Sequence, residues 1–170
     1  MPELQMSDEQ FILERTRIHD LLEKTVQNSV VFVTAGEGYG KTYAVNSFLR
    51  KKNRTAIWLS LTERDNDPMH FWENVVKAVS FNHRRIGKSL EEIGLPQSPS
   101  QITRCFSITA DFIAHNKQYA VVLDNVHIIN EESIFDIING FLASPYLKGT
   151  TILISRREPN LNAISLLSKG

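Results

Sequence analysis

The stretch Ala35-Gly36-Glu37-Gly38-Tyr39-Gly40-Lys41-Thr42 sets three glycines, a lysine and a threonine in an order suited to holding a chain of phosphates. Gly36, Gly38 and Gly40 are expected to let the backbone turn until successive N–H groups point inward at anionic oxygens. Lys41 then puts a mobile cation beside the β- and γ-phosphates of a nucleotide such as ATP, and the Thr42 hydroxyl can ligate Mg²⁺. A helix expected over Lys41 to Arg50 presents the positive end of its dipole to the same anion. Gly36, Glu37, Gly38, Tyr39, Gly40, Lys41, Thr42 and Tyr43 are therefore the candidate cofactor-binding residues of this stretch, with Gly38, Gly40 and Lys41 cradling the phosphates. The pattern, opening on Ala35 rather than glycine, arises by chance in about one in a hundred chains of this length. The plainer alternative is an ordinary glycine-rich strand-to-helix turn.

A second set of polar residues follows an apolar run, Val121-Val122-Leu123-Asp124-Asn125-Val126-His127. A carboxylate at the end of a buried strand is costly to desolvate unless it meets a cation or hydrogen-bond donors. Beside a phosphate loop, Asp124 is placed to hold Mg²⁺, directly or through water; the alternative is that it only caps a turn. His127 reads as a packed or turn-bonding histidine before a metal or proton-transfer group. The third set is Ser155-Arg156-Arg157, where Arg156 lies at a strand's carboxyl end, the edge on which open α/β sheets bind ligands. There it can sense a γ-phosphate.

These residues need a scaffold that brings strand ends together. Val30 to Thr34, Thr55 to Leu61, Tyr119 to Leu123 and Thr150 to Ser155 read as strands; the first, third and fourth are apolar almost throughout, as suits strands covered on both faces. Helical stripes fill the gaps: Ile18, Leu21, Leu22 and Val26; Phe71, Trp72, Val75, Val76 and Val79; Ile102, Cys105, Phe106, Thr109, Ala110 and Ile113; Ile134, Phe135, Ile138, Phe141 and Leu142. The alternation predicts parallel pairing through crossovers and a three-layer α/β sandwich. Residues 83–100 read as the one long irregular connection, because Pro96 and Pro99 discourage regular structure, with a turn of helix over Leu90 to Ile93. Their Arg84, Arg85 and Lys88 read as a solvated basic turn rather than an anion site. Ser165 to Gly170 reads as the start of another helix, cut off before a fifth strand.

Composition narrows the classes. The 170 residues are 42% hydrophobic, with 19 basic and 19 acidic side chains, which is too apolar for a disordered tail. Zero net charge speaks against a dedicated nucleic-acid binder, and one cysteine, Cys105, excludes an internal disulfide framework and a multi-cysteine zinc site. With no apolar run near the ~20 residues of a bilayer crossing and an acidic start unlike a signal peptide, a single cytoplasmic domain is expected.

Taken together, the motifs resemble the amino-terminal nucleotide-binding domain of MalT-like signal-transduction (STAND) ATPases, found in the large LuxR-type bacterial transcription regulators. Besides the loop, the resemblance rests on Glu14-Arg15-Thr16-Arg17-Ile18, on Trp58-Leu59-Ser60-Leu61 with Asp65-Asn66-Asp67-Pro68 and Phe71-Trp72, on Leu123 to His127, and on Ser155-Arg156-Arg157-Glu158-Pro159. It implies a P-loop NTPase sandwich of the additional-strand (ASCE) type over residues 1–170, with 1–28 an amino-terminal segment and helix and 29–170 the α/β core. It implies ATP or ADP with Mg²⁺ as cofactors, Thr42 and Asp124 as metal ligands, and Leu13, Glu14 and Arg15 along the adenine. Read on their residues alone, Asp67 caps a helix, Pro68 fills its first turn, and Phe71 and Trp72 enter the core.

Two departures shape the expected activity. The family usually carries paired acids after the Mg²⁺ strand, and here Asn125 holds the second position, so it can orient water but not accept its proton. Hydrolysis is expected to be weak or absent. The other departure is length, since the winged-helix arm, helical-repeat sensor and DNA-binding helix-turn-helix of such regulators do not fit in 170 residues. The implied function is an ATP-dependent switch that binds no DNA itself and acts through downstream domains and self-association in the intact protein. The rivals are a small-molecule or nucleoside kinase, with Arg84 and Arg85 as lid residues, and a non-catalytic module that binds nucleotide only for structure.

Overall fold

The computed structural model describes residues 16–25, 30–115, 119–144 and 149–157. The four apolar runs form strands β1 (Val30–Thr34), β2 (Thr55–Ser60), β3 (Tyr119–Asp124) and β4 (Thr150–Ser155). All pair in parallel, in the order β1-β4-β3-β2. Their β-branched side chains suit the pleated surface. All six residues of β4 are buried, as expected of a strand flanked on both edges and both faces. Past the end of β2 the pairing continues, since Leu61 N–H donates to the Asp124 carbonyl at 2.9 Å.

Alternation along the strands divides the core. Val31, Ala120, Val122, Ile152 and Ile154 pack with Leu22 of α1 (Thr16–Thr25) and with Val45, Phe48 and Leu49 of α2 (Lys41–Lys51). Leu59, Leu123 and Leu153 face the other way, toward Phe71 of α3 (Pro68–Asn82) and Ile134, Ile137 and Ile138 of α6 (Glu132–Leu142). Helices on both faces of one sheet make the expected three layers. In the first stripe Leu22 is buried but Leu21 is 55% exposed, so α1 docks through a narrower face than expected; Val26 lies outside the described residues.

The start of α3 follows the sequence rules. Asp67 accepts from the His70 N–H at 2.8 Å and Pro68 takes the first helical position. Just before it, a 3-10 turn over Glu63–Asn66 is held by Asp65, whose carboxylate accepts from the Thr62 N–H and hydroxyl, both at 2.7 Å.

Residues 83–100 are a correction. Instead of an irregular connection they form α4 (Arg84–Ile93), end it at Gly94 with a positive φ of 72°, and begin α5 (Pro99–His115). Gly87 explains the difference: a Cβ there would sit 1.8 Å from Ser80 Oγ and 2.8 Å from Ser80 Cα. The glycine lets α4 lie against α3 rather than breaking it, and Pro99 opens a helix rather than preventing one. Leu90 of α4 joins Ile57, Trp72, Val79 and Cys105 in a core beside β2.

Candidate functional site

Parallel register brings the chemistry to one edge. Thr34 pairs with Ser155, and Asp124 pairs with Ile154, so the loop after β1, the end of β3 and the residues after β4 emerge side by side. Ala35 N–H still donates to the Ser155 carbonyl at 3.4 Å, carrying the β1–β4 pairing into the loop.

Within the loop the glycines have two roles. Gly38 (φ 74°) and Gly40 (φ 68°) occupy the left-handed region, where a side chain is strained. Gly36 does not; a Cβ there would lie 3.3 Å from the Tyr39 ring, so its need is space rather than torsion. Gly40 then caps α2, its carbonyl accepting from Ala44 N–H at 2.9 Å. Glu37, Gly38, Tyr39 and Tyr43 are exposed, with the tyrosines at 64% and 49%.

Lys41 Nζ donates to the carbonyls of Ala35 (2.6 Å) and Gly36 (2.7 Å), holding the cation across the loop. From the first turn of α2 the Thr42 hydroxyl donates to Asp124 Oδ2 at 2.9 Å. Asp124 is 4% exposed, and its other oxygen, Oδ1, is buried with no hydrogen-bond partner in the structure. A buried carboxylate oxygen left in this state is the kind of group a hard cation satisfies. Among the described residues no group of three or more His, Cys, Asp or Glu side chains is arranged to hold a metal. Thr42 and Asp124 suit an ion that takes most of its ligands from water and phosphate, as Mg²⁺ does.

Asn125 follows with φ 64° and starts a 3-10 turn over Val126–Ile128. Asparagine is among the few side chains that tolerate this conformation. His127 lies in that turn, half-buried, and its Nδ1 accepts from Arg156 N–H at 3.4 Å. Burial, with the charges of Arg156, Arg157 and Lys41, pushes the imidazole below its ordinary range against the opposing pull of Asp124. It is thus half-buried and bonded across to the end of β4 rather than within its own turn.

The Arg156 guanidinium reaches Glu37 Oε2 at 2.9 Å, so the arginine at the end of β4 is tied to the middle of the loop. Sequence reasoning placed Arg156 on this edge but missed its partner, since nothing local links positions so far apart. It also missed Asn66. That amide donates to the Ile128 carbonyl (3.1 Å) and accepts from Asn130 N–H (2.7 Å), fastening the segment after β2 to the turn that carries Asn125 and His127. Leu13, Glu14 and Arg15, the expected adenine contacts, lie outside the described residues. Arg84 and Arg85 are exposed on α4, which packs beside β2, the sheet edge opposite β1.

Comparison with known proteins finds curated relatives. The chain is 30% identical over 156 residues to the HTH-type transcriptional regulator MalT of Vibrio parahaemolyticus and 27% identical over 153 residues to that of Vibrio cholerae, covering 89% of its own length in each case. The MalT of Klebsiella pneumoniae is 28% identical over 141 residues, 81% of the chain. This chain is MalT-like. It spans about 17% of the length of the first two relatives, so the likeness concerns one segment of a much larger protein. No protein-family model matches it. In this MalT-like segment the matched stretch takes in most of the chain, and the sheet, with helices on both faces, is compatible with a P-loop NTPase-like fold. Among the described residues no helix is long and apolar enough to cross a membrane.

Proposed function

We propose that this chain is an ATP- and Mg²⁺-binding switch domain from a cytoplasmic transcription regulator of the LuxR type. The observation that carries the reading is the Thr42 hydroxyl on Asp124 at 2.9 Å, directly behind a loop with left-handed Gly38 and Gly40 and a lysine at its end. In this reading the loop's N–H groups and Lys41 hold the phosphates, and Arg156 responds to the third. Thr42 and Asp124 would hold Mg²⁺, which would supply charge neutralisation at the phosphates. Asn125 orients a water without taking its proton, which makes turnover slow and the bound nucleotide a lasting signal. The order β1-β4-β3-β2, with β4 inserted between β1 and β3, supports the additional-strand type, with β1 as the strand beside which a fifth would pair.

The names of the relatives support the regulatory setting. Downstream domains and self-association in the intact protein would convert the nucleotide state into transcriptional control, leaving DNA contact to other segments. A kinase needs arginines over the phosphates, and Arg84 and Arg85 lie by the opposite sheet edge, which weighs against that reading. A purely structural nucleotide module would give the same protease digestion pattern with ATP and with ADP, whereas a switch gives two.

The direct test is Lys41→Ala, measured by calorimetry with ATP and Mg²⁺. Loss of the loop's cation is expected to weaken binding by a few kcal/mol, the scale of removing a charged partner in a desolvated site. Unchanged affinity would remove the phosphate-loop assignment.

A further inference from the structure

Glu37 lies in the middle of the phosphate loop, where its charge would repel the ligand proposed above, yet its carboxylate is engaged. Its Oε2 accepts from Arg156 Nη1 at 2.9 Å. The backbone of Arg156 is anchored as well, since its N–H donates to His127 Nδ1 at 3.4 Å and the preceding residue, Ser155, pairs with Thr34. The guanidinium is therefore held at the loop by an anion the chain supplies itself.

We propose that Glu37 is a specificity residue that competes with a nucleotide's third phosphate for Arg156. The inference rests on the nucleotide reading above and deepens it. Glu37 takes one arm of the guanidinium, Nη1, and a phosphate oxygen arriving at that arm must displace it. Glu37 and Arg156 side chains are 73% and 46% exposed, and a pair so open to water is weak enough to exchange. A γ-phosphate carries more charge than a carboxylate and can displace it. ADP offers no such group near Arg156, so with ADP the loop and the end of β4 stay tied as they are here. Glu37 thus lowers ATP affinity without lowering ADP affinity by the same route, and its release marks the triphosphate state.

The test is Glu37→Gln, which keeps the shape and removes the charge, compared with the parent chain in calorimetric titrations of ATP and ADP with Mg²⁺. The expected result is ATP binding tightened roughly two- to fivefold, the range an exposed ion pair spans, and ADP binding changed by clearly less. In an Arg156→Ala background the same substitution is expected to leave the ATP-to-ADP affinity ratio unmoved. General repulsion between Glu37 and phosphate instead predicts equal tightening for both nucleotides, persisting in the Arg156→Ala background. Either of those outcomes, or no change in ATP affinity, overturns the proposal while the nucleotide reading stands. If the parent chain binds neither nucleotide, the nucleotide reading falls and this inference with it. Matching circular dichroism and melting curves for parent and Glu37→Gln keep the comparison free of folding effects.

Discussion

The Thr42 hydroxyl donates to Asp124 Oδ2 at 2.9 Å, joining residues 82 positions apart in the chain. One belongs to the first turn after the glycine loop and the other ends a buried strand. The bond fixes the spacing of the two candidate metal ligands before any ligand arrives, and it gives a buried carboxylate one partner from the protein.

Thr42→Val removes that partner with little change in shape. With Oδ1 already lacking a hydrogen bond, the carboxylate is left with none from this side chain on either oxygen. The chain is expected to lose about 1–3 kcal/mol of stability in urea melts without nucleotide. ATP affinity should also become nearly independent of Mg²⁺. A variant as stable as the parent would show that the hydrogen bond contributes nothing to the fold.

Asn125→Asp places an acid where the resemblance expects one, in a backbone conformation that Asp tolerates almost as well as Asn. Single-turnover hydrolysis is expected to rise toward the ~10²–10⁴-fold that general-base assistance provides. ATP affinity should change little, because Lys41, Thr42 and Asp124 are untouched. Brisk hydrolysis by the unmodified chain, insensitive to changes at His127, would show that the missing acid was never the base.

Gly87→Ala tests the crossing of α3 and α4. Its new Cβ meets a backbone atom, Ser80 Cα, at 2.8 Å as well as the Ser80 hydroxyl, so no rotamer change relieves it. A cost of about 1–3 kcal/mol is expected from overpacking, and pairing it with Ser80→Ala should recover only part. Nucleotide affinity measured well below the melting temperature should be unaffected.

Acidification should weaken the fold through two histidines. Burial holds His83 below its ordinary value of 6.5; burial, then Arg156, Arg157 and Lys41, do the same for His127. An imidazole shifted downward is protonated more readily in the unfolded chain. Its contribution is therefore complete above about pH 6.5 and is lost as pH falls through the lower folded value. Urea melts should show less stability at about pH 5.5 than at about pH 7.5, and His83→Gln with His127→Gln should flatten that slope. An unaltered slope in the double variant would move its origin elsewhere.

Much of this architecture is legible in the residues because local rules and tertiary demands coincide. Val30–Thr34 and Thr150–Ser155 have the limits their apolar runs predict. Asp67 and Pro68 open α3 by capping chemistry that needs no neighbour. The failures share a cause in partners distant along the chain or on another helix. Pro99 looks like a breaker until it is seen to open α5, and Leu21 looks like core until the narrow contact of α1 is known. At the site, the loop pattern indicates Lys41 and Thr42, and the end of a buried strand indicates Asp124. The pairing of Glu37 with Arg156 joins two loops that only the sheet order brings together.

β4 lies between β1 and β3, which share no ladder of their own. During synthesis the ribosome releases the glycine loop and then Asp124 well before residues 150–155 emerge. Until they do, β1 and β3 have no common neighbour in the sheet, and the two halves of the candidate site lack the strand that sets their spacing. Nonlocal parallel pairing of this kind is slow to form and exposes unpaired edges while it waits. A nascent chain stalled before Thr150 should therefore be unable to retain nucleotide and should present β1 and β3 to chaperones. In the proposed reading, ligand binding would report that the last of these strands has been inserted.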